Sequence, residues 1–554
     1  MPQTLHCART GKTYEVSDLE LRLCTRFGVP PPELHPEERL RELMAFRNEW
    51  KLYKRTCDAT GEAIVSAYRT DSPFKVYKNA IWWGDTWDGA EYGRDFDFSR
   101  PFFEQFAELQ NVVPREGTSV FNSENCDYNS HIRNSRNCYL NSLAAKCEDT
   151  HYSYWVVNDH DLLDCAYTNN STRCYDSTDL EACYECVCIQ EAKDCADCHF
   201  SFQLQNCKHC LFSANLINAE YRVFNKPVTP AEFETMKKEL FNGSFSTYQK
   251  AKEKFLELRK NAVHRASHLI NCENSTGDHL LDSKNCQNCF DGQTNEDGVN
   301  SVSLGDSKDV ASSLSTGWPR SEMIYRSVVS RGANTIAFCN YTYFSSNLYY
   351  CDSVQSSQDC FGCIGLKKKR YCILNKQYSK EDYRTVARNI IEHMQKTGEW
   401  GKFFPASLSP FSYNESAAND FFPLEREQAM QLGYGWTEQE QKAPEVSETI
   451  PATQLPDSLS EVTDDMLTKP VVCSETGKLY RVMAKELQFY RQMSLPIPRL
   501  HPEARHRWRM SLRNPLRLLN RTCFRCGEKT LSTTPVDRPE KIFCEACYRA
   551  HLYG

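Results

Sequence analysis

The sequence lacks any long hydrophobic run. Its mean hydropathy is -0.61, with 40% apolar and 25% charged residues among 554. No stretch approaches the roughly 20 apolar residues that a membrane-spanning helix requires. The opening segment MPQTLHCARTGKTYEV also lacks the basic and apolar regions of a secretory signal. We therefore expect a soluble, cytoplasmic protein rather than a membrane protein.

Common enzyme motifs are missing as well. There is no Gly-rich phosphate loop, no HExxH and no G-x-S-x-G. With 28 cysteines, no single Cys and His pair stands out as nucleophile and base. The aspartates of GRDFDFSR, residues 93–100, are loop charges of the kind that solvent usually screens. We predict no catalytic residues and no enzymatic activity, and a carbohydrate-active enzyme is the less favoured alternative.

Cysteine is the residue that the sequence has in excess. Twelve cysteines lie between Cys126 and Cys210, eight between Cys272 and Cys372, and four near the end of the chain. Because a reducing cytoplasm disfavours disulfides, we expect metal ligands or buried free thiols.

The two ends of the chain carry the same module. At a constant offset of 466 residues, CARTGKTYEV from Cys7 aligns with CSETGKLYRV from Cys473. The match runs without a gap for about sixty residues, to Cys57 and Cys523. An internal duplication is the simplest account.

Only the second copy has a full set of metal-type ligands. Its cysteines form two CxxC knuckles separated by 17 residues, a spacing typical of tetrahedral structural zinc. The predicted ligands are Cys523, Cys526, Cys544 and Cys547. Their counterparts in the first copy are Cys57, Thr60, Lys78 and Ile81. We predict one Zn²⁺ in the second copy and none in the first, with four free thiols as the alternative.

The C-terminal copy is basic, although the whole chain has a net charge of -7. From Val471 to Gly554 there are 16 Lys and Arg against 7 Asp and Glu. Several arginines recur at every fourth residue of an amphipathic segment. The predicted nucleic-acid-binding residues are Arg505, Arg507, Arg509, Arg513, Arg517, Arg521 and Arg525. Phosphate suits such a stripe, so we expect RNA or a ribonucleoprotein such as the ribosome as partner. A solvated charged face is the plainer interpretation.

The central region repeats with a short period. Cysteines recur at intervals of 12 residues in a stretch rich in Asn, Asp and Ser, which predicts a right-handed parallel β-solenoid. Three consecutive doublets are weaker metal candidates, namely Cys183, Cys186, Cys195, Cys198, Cys207 and Cys210. Equally, these thiols are compact hydrophobes stacked in buried ladders.

The solenoid is itself duplicated. YRVFNKPVTPAEF at 221–233 matches YCILNKQYSKEDY at 371–383. Each is followed by a predicted helix, at about 230–262 and 380–396, that would cover an open end of the strands. The expected fold is mainly β with α: a duplicated solenoid with capping helices, flanked by two homologous zinc-ribbon-like modules.

Five segments follow from these patterns. They are an N-terminal ribbon-like module that has lost its zinc ligands (1–95), two solenoid halves with helices (96–265 and 266–436), an acidic flexible linker (437–470) and a basic zinc-ribbon module (471–554). The linker has 8 acids against 2 bases and no apolar period, and it should let the last module move. A solenoid that serves as a structural scaffold or protein-interaction platform is the alternative to nucleic-acid binding.

Several phrases taken together resemble a known family. WWGDTWDG at 82–89, CFGC at 360–363, LSPFSYNES at 408–416 and FFPL at 421–424 are similar to an uncharacterised, cysteine-rich, zinc-ribbon-containing bacterial family typical of candidate-phyla-radiation genomes. Some of its members carry a misleading Caib/baif CoA-transferase label. The resemblance covers about residues 1 to 436 and implies an N-terminal zinc-ribbon, with cysteines where this chain has Thr60, Lys78 and Ile81.

Overall fold

The computed structural model of the protein describes residues 2–438 and 448–553. They form a mixed α and β structure in which many parallel strands build large sheets, two of them with 9 and 13 strands. The predicted mixture of strands and helices is confirmed at this level. Within these residues, no helix combines the length and the apolar character needed to cross a membrane.

The N-terminal module, residues 2–95, is built from short hairpins and helices. Its elements, with the helix and strand that follow, are β1 (Gln3–His6), β2 (Thr13–Val16), α1 (Asp18–Phe27), α2 (Pro36–Ala45), β3 (Tyr53–Thr56), β4 (Ala63–Ser66), β5 (Val76–Tyr77), α3 (Asn79–Trp83), α4 (Phe102–Val112) and β6 (Arg115–Glu116). β1 pairs with β2 and β3 with β4, both antiparallel, while β5 runs parallel to β6.

The first stack, residues 120–227, consists of short parallel strands and a closing hairpin. They are β7 (Val120–Phe121), β8 (Ser130–Arg133), β9 (Ser142–Ala145), β10 (Tyr154–Val157), β11 (Ala166–Asn169), β12 (Thr178–Glu181), β13 (Gln190–Lys193), β14 (Ala196–His199), β15 (Phe202–Gln205), β16 (Lys208–Leu211), β17 (Ala214–Ile217), β18 (Glu220–Val223) and β19 (Lys226–Pro227). Successive strands pair 12 residues apart, as in Tyr154 with Ala166 and Ala166 with Thr178. The 12-residue spacing of the cysteines therefore equals the sequence distance between paired residues of neighbouring strands.

Two helices follow the first stack where one long helix was predicted. They are α5 (Pro230–Leu240) and α6 (Phe245–Asn261). The predicted start is confirmed, since Thr229 and Glu232 form a capping box. The helix ends early because Gly243 has a φ of +77° and Ser244 caps a new helix through its side chain.

The second stack, residues 269–377, repeats this design. Its strands, with the one that precedes them, are β20 (Val263–Arg265), β21 (Leu269–Ile270), β22 (Gly277–Leu281), β23 (Cys289–Val299), β24 (Val302–Ala311), β25 (Leu314–Thr316), β26 (Ser321–Tyr325), β27 (Val328–Arg331), β28 (Asn334–Ala337), β29 (Asn340–Tyr343), β30 (Ser346–Tyr349), β31 (Gln358–Phe361), β32 (Arg370–Ile373) and β33 (Lys376–Gln377). The predicted helix that follows is confirmed as α7 (Lys380–Thr397), with Ser379 as its N-cap.

The turn chemistry explains the abundance of Asn and Asp. From Asn122 to Phe224, nearly every third residue has a φ between 46° and 60°. This left-handed region costs most side chains energy but is tolerated best by Asn, Asp and Gly. The repeat therefore selects short polar residues at these positions, while small thiols and hydroxyls fill the interior.

The two stacks lie side by side and run in opposite directions. His131 of the first stack contacts Tyr341 of the second (Nε2 to Oη, 3.2 Å). Further along the first stack, Glu191 contacts His268, which precedes the second stack (Oε2 to Nε2, 2.9 Å). Chain numbers thus rise along one stack as they fall along the other, and a cleft lies between them.

The remaining elements form the C-terminal module, residues 471–553, and the segments before it. They are α8 (Ala417–Phe421), α9 (Arg426–Gln431), β34 (Ile450–Pro451), β35 (Val471–Val472), β36 (Leu479–Tyr480), α10 (Ala484–Met493), α11 (Pro502–Leu512), β37 (Leu519–Thr522), β38 (Lys529–Ser532), β39 (Lys541–Phe543) and α12 (Glu545–Tyr553). Short 3-10 helices occupy Gly89–Tyr92, Ala406–Leu408, Tyr413–Glu415, Ala452–Gln454, Leu459–Glu461 and Asp464–Thr468.

The acidic segment 437–470 does not run free where it is described. Residues 439–447 lie outside the described residues. From residue 448 onward, Leu455 and Val462 are buried and Asp457 accepts a hydrogen bond from Ser244 (2.6 Å). The expectation of a flexible tether is corrected for this part, because widely spaced apolar residues in 3-10 turns escape a search for helical or strand periodicity.

The two terminal modules dock crosswise. The N-terminal module packs on the second stack, where Arg39 contacts Ser312 (2.5 Å). The C-terminal module packs on the first stack through α11 and adds β39 to β20 as a parallel pair. The last module is therefore held against the body rather than tethered to it.

Candidate metal centre and ligand cleft

Four cysteines lie together at the tip of the C-terminal module. Cys523 and Cys526 follow β37, while Cys544 and Cys547 lie at the start of α12. All four sulfur atoms are within 4.8 Å of one another, and those of Cys526 and Cys544 are 3.8 Å apart. Sulfur atoms have about this separation on a tetrahedral ion with bonds of about 2.3 Å. The predicted ligand set is therefore brought together and could hold a metal ion.

The backbone of the first knuckle favours the thiolate. The amide of Gly527, with a φ of +78°, donates to the carbonyl of Cys523 (2.9 Å). The amide of Cys544 donates to the Cys523 sulfur (3.3 Å). Burial would raise the pKa of Cys523, but backbone N–H groups, those of Cys526 and Cys544 foremost, outweigh it and lower the pKa to about 6. The group is then ionised at neutral pH, as metal ligation requires.

The N-terminal module keeps the knuckle without the ligands. Gly61 donates to the carbonyl of Cys57 at 2.9 Å, and the amide of Lys78 donates to the Cys57 sulfur at 3.3 Å. These contacts match those of Cys523 at the offset of 466 residues. The other ligand positions hold Thr60, Lys78 and Ile81. Among the described residues, Cys57 joins no group of three metal-type donors.

The cysteine doublets of the first stack form buried ladders. The Cys198 sulfur donates to the Cys207 carbonyl (3.5 Å), and burial is complete or nearly so for the whole set. Within residues 2–438 and 448–553, these sulfurs do not form a group of three donors within 4.8 Å. The structure therefore favours reduced, packed thiols over a metal site for Cys183, Cys186, Cys195, Cys198, Cys207 and Cys210.

Three arginines of the predicted stripe are buried in ion pairs with the protein's own carboxylates. Arg509 contacts Asp164 (2.9 Å) and has a fully buried side chain. Arg505 pairs with the same carboxylate. Arg513 bridges Asp179 (3.0 Å) and Asp291 (2.6 Å). A guanidinium held in this way is not available to phosphate, so the predicted nucleic-acid surface is corrected at these three positions.

The other four arginines lie nearer the surface. Arg507 is half-exposed and pairs with Glu475 (3.0 Å). Arg521 donates to the carbonyl of Thr534 (2.9 Å). Arg517 and Arg525 are exposed. This part of the stripe remains open to solvent at the edge of the module.

The duplication carried a signal for one of the buried arginines, Arg505. Arg39 and Glu20 of the N-terminal module form a buried ion pair, and at the offset of 466 residues they correspond to Arg505 and Glu486. The latter pair is also in contact (3.6 Å). An arginine that recurs with its acidic partner in both copies indicates a docking role that the two modules share.

A large cavity lies in the cleft between the two stacks. It has a volume of about 1610 Å³ and is lined by both stacks and by both terminal modules. On the first stack, Trp155 stacks on Tyr167 with ring centroids 5.7 Å apart. On the second stack, Trp318 and Phe344 line the cavity with 47% and 61% of their surface exposed. Flat rings therefore face the cavity from both walls.

Two arginines of the cleft lie in no motif or charged stripe that the sequence shows. Arg133 in β8 and Arg331 in β27 lie on opposite walls and line the cavity. Burial, followed by the charge of Arg133, lowers the pKa of Arg331 to about 10, so it stays charged at neutral pH. Among the described residues, neither guanidinium forms an ion pair within 4.0 Å or a side-chain hydrogen bond, and both are desolvated by burial. Their like charges face each other without a counter-ion from the protein.

Glu116, at the same end of the cleft, has a raised pKa that favours its neutral form at neutral pH. Trp83 donates its indole N–H to this carboxyl group (2.6 Å). Burial raises the pKa of Glu116 to about 8, although the hydrogen bond from Trp83 opposes the shift. A neutral Glu116 leaves the positive charge of the two arginines uncompensated. This end of the cleft is thus prepared for an anion.

No protein-family model and no curated protein matches this chain in sequence comparisons. The interpretation of the site therefore rests on its own geometry.

Proposed function

We propose that this chain is a non-enzymatic, zinc-containing binding protein that holds single-stranded RNA, free or in a ribonucleoprotein, in the cleft between its two stacks. The observation that carries this proposal is the pair of cleft arginines without protein counter-ions, Arg133 and Arg331, in a cavity lined by stacked and exposed aromatic rings. Single-stranded nucleic acid is bound by cationic grooves that track phosphates and by rings on which bases stack.

The cleft differs from the surface expected from the sequence. The predicted stripe loses Arg505, Arg509 and Arg513 to ion pairs inside the protein. Its open members, Arg507, Arg517 and Arg525, can contribute contacts outside the cleft. Electrostatic attraction between these arginines and RNA would speed association, but it would not position the RNA bases.

We also propose a fold class for the two stacks, a class for the terminal modules and an identity for the metal ion. The two stacks are the halves of a duplicated right-handed β-solenoid, a view supported by the 12-residue register of the first stack and of most strand pairs in the second. The terminal modules are zinc-ribbon-like, and the ion held by the last four cysteines is Zn²⁺, because a set of four thiolates suits it. Membership of the candidate-phyla-radiation family and a cytoplasmic location are part of the same proposal, the latter supported by the many free thiols.

A charge-reversal experiment tests the RNA proposal. The double variant Arg133→Glu, Arg331→Glu should weaken binding of a fluorescent single-stranded RNA by roughly tenfold or more, because phosphate contacts dominate affinity. The matched triple variant Arg507→Glu, Arg517→Glu, Arg525→Glu changes more charges outside the cleft and should alter affinity by less than about threefold. Fluorescence anisotropy at fixed salt measures both. The reverse order of effects would contradict the cleft and favour the open stripe.

A protein-interaction platform is the second candidate. The C-terminal module exposes apolar side chains at Phe524 (66%) and Val536 (69%), and Phe524 lies within the first knuckle. Exposed apolar groups of this kind are typical of protein-binding surfaces. On this account RNA would bind weakly, and neither set of arginine variants would change its affinity.

A further inference from the structure

A second group of metal-type donors lies at the opposite end of the cleft from Arg133 and Arg331. His268 precedes the second stack, and Asp278 and His279 lie in β22. One donor atom from each of the three residues lies within 4.8 Å of the others. His268 and His279 both line the cavity.

The local backbone positions two of these donors. Gly277 has a φ of +143°, and a Cβ atom there would stand 1.7 Å from the carbonyl oxygen of Cys289. Only glycine fits this close approach between neighbouring strands. The following residues, Asp278 and His279, are thereby fixed in place, and His279 takes a φ of 52°.

The three donors converge on one point. Asp278 Oδ1 lies 2.9 Å from His268 Nδ1 and 3.5 Å from His279 Nδ1. The two imidazole rings stack with centroids 4.6 Å apart. Nitrogen and oxygen ligands at bond lengths of about 2.0 to 2.2 Å stand at similar separations around one ion.

Two of the donors are held from behind by a hydrogen bond. Glu191 lies 2.9 Å from Nε2 of His268, and Thr533 of the C-terminal module donates to Oδ2 of Asp278 (2.5 Å). Metal-bound histidines usually donate their second ring N–H to a carboxylate, as His268 can to Glu191. Asp179 lies 3.7 Å from Nε2 of His279, beyond hydrogen-bond distance.

Two buried atoms of this group lack partners. Asp179 Oδ2 and His279 Nε2 have no hydrogen-bond partner among the described residues. Asp179 and Asp291 share the single guanidinium of Arg513. Among the described residues, the four carboxylates of Glu191, Asp278, Asp179 and Asp291 therefore lie near two guanidinium groups, those of Arg513 and Arg259, and two imidazoles. A divalent cation would offset this excess of negative charge.

We infer that His268, His279 and Asp278 bind a divalent metal ion, with Zn²⁺ as the preferred occupant, and that Glu191 and Thr533 hold His268 and Asp278 in position. His268 and His279 line the cavity, and a set of three protein ligands leaves a coordination position open, unlike the closed set of four thiolates. The open position faces the cleft, where it can take a phosphate or carboxylate oxygen of a bound ligand. The inference does not depend on the RNA proposal.

Metal content of the full chain tests the site. After dialysis against Zn²⁺ and then metal-free buffer, the double variant His268→Gln, His279→Gln should retain about one equivalent less zinc per chain than the wild type. The control His160→Gln removes an imidazole that is 56% exposed and should leave the metal content unchanged. Equal zinc in the double variant and the wild type would overturn the inference.

Cobalt substitution gives an answer that does not require the variant to fold. Co²⁺ bound by thiolates absorbs strongly in the near ultraviolet, whereas Co²⁺ bound by imidazole and carboxylate shows only weak visible bands. During titration of the metal-free wild type, visible absorption should continue to grow after the thiolate band has saturated. If the near-ultraviolet band and the visible absorption saturate at the same amount of added Co²⁺, the four cysteines bind the only ion and the inference is wrong.

Discussion

At the scale of single residues, the two terminal modules share one knuckle cysteine and differ at three further ligand positions. Cys57 and Cys523 share the same backbone contacts, with amide to sulfur distances of 3.3 Å in both copies. The copies differ in the three further ligands, which only the second one has. The fold of the knuckle is therefore separable from metal binding, and the first copy serves as an internal control.

Removal of Cys523 should release metal, whereas removal of Cys57 should not. Cys523→Ser should lower the zinc content by about one equivalent per chain, because three thiolates bind far more weakly than four. Cys57→Ser, at the corresponding buried position, should leave the zinc content unchanged. Metal analysis by mass spectrometry of both purified variants provides the measurement. A loss of zinc from Cys57→Ser would show that the first copy also holds an ion.

At the scale of elements, two arginines of α11 attach this helix to the first stack and do not face outward for nucleic acid. Arg505 and Arg509 point from it to Asp164 of the first stack. Periodic arginines look alike in sequence whether they face phosphate or a buried carboxylate. Asp164 lies 341 residues from Arg505, so no local pattern connects the two.

The docking role predicts unequal stability effects along the stripe. Arg509→Ala should lower the free energy of unfolding by about 3 to 5 kcal/mol, because it leaves Asp164 buried with one partner fewer. Arg525→Ala removes an exposed side chain and should change stability by less than about 0.5 kcal/mol. Urea denaturation followed by circular dichroism compares them. Similar small effects for both would indicate that the buried pairs contribute nothing to stability.

Elements fixed by neighbouring residues were predictable from the sequence, and those fixed by distant contacts were not. The 12-residue register, the helices capped by Thr229 and Ser379, and the cluster of four cysteines depend on neighbours in sequence or on a repeated unit, and all were predictable. The break at Gly243 and the packed turns around Leu455 depend on a single dihedral angle or on distant contacts. These features required coordinates.

At the scale of the whole molecule, the duplication produces the cleft. Two similar stacks lie in opposite directions, and each terminal module docks on the stack that is distant in sequence. The ends of the cleft consequently differ: Arg133 and Arg331 dominate one, and the histidines and carboxylates around His268 dominate the other. Neither end could be predicted from one copy of the repeat, because each combines residues from both stacks.

Photo-crosslinking can locate bound RNA in this cleft. Single-stranded RNA containing 4-thiouridine, crosslinked to the full chain and mapped by mass spectrometry, should label peptides around Trp155, Tyr167, Trp318 and Phe344, the rings that line the cavity. Crosslinks confined to peptides around Phe524 and Arg525 of the C-terminal module would contradict RNA binding in the cleft.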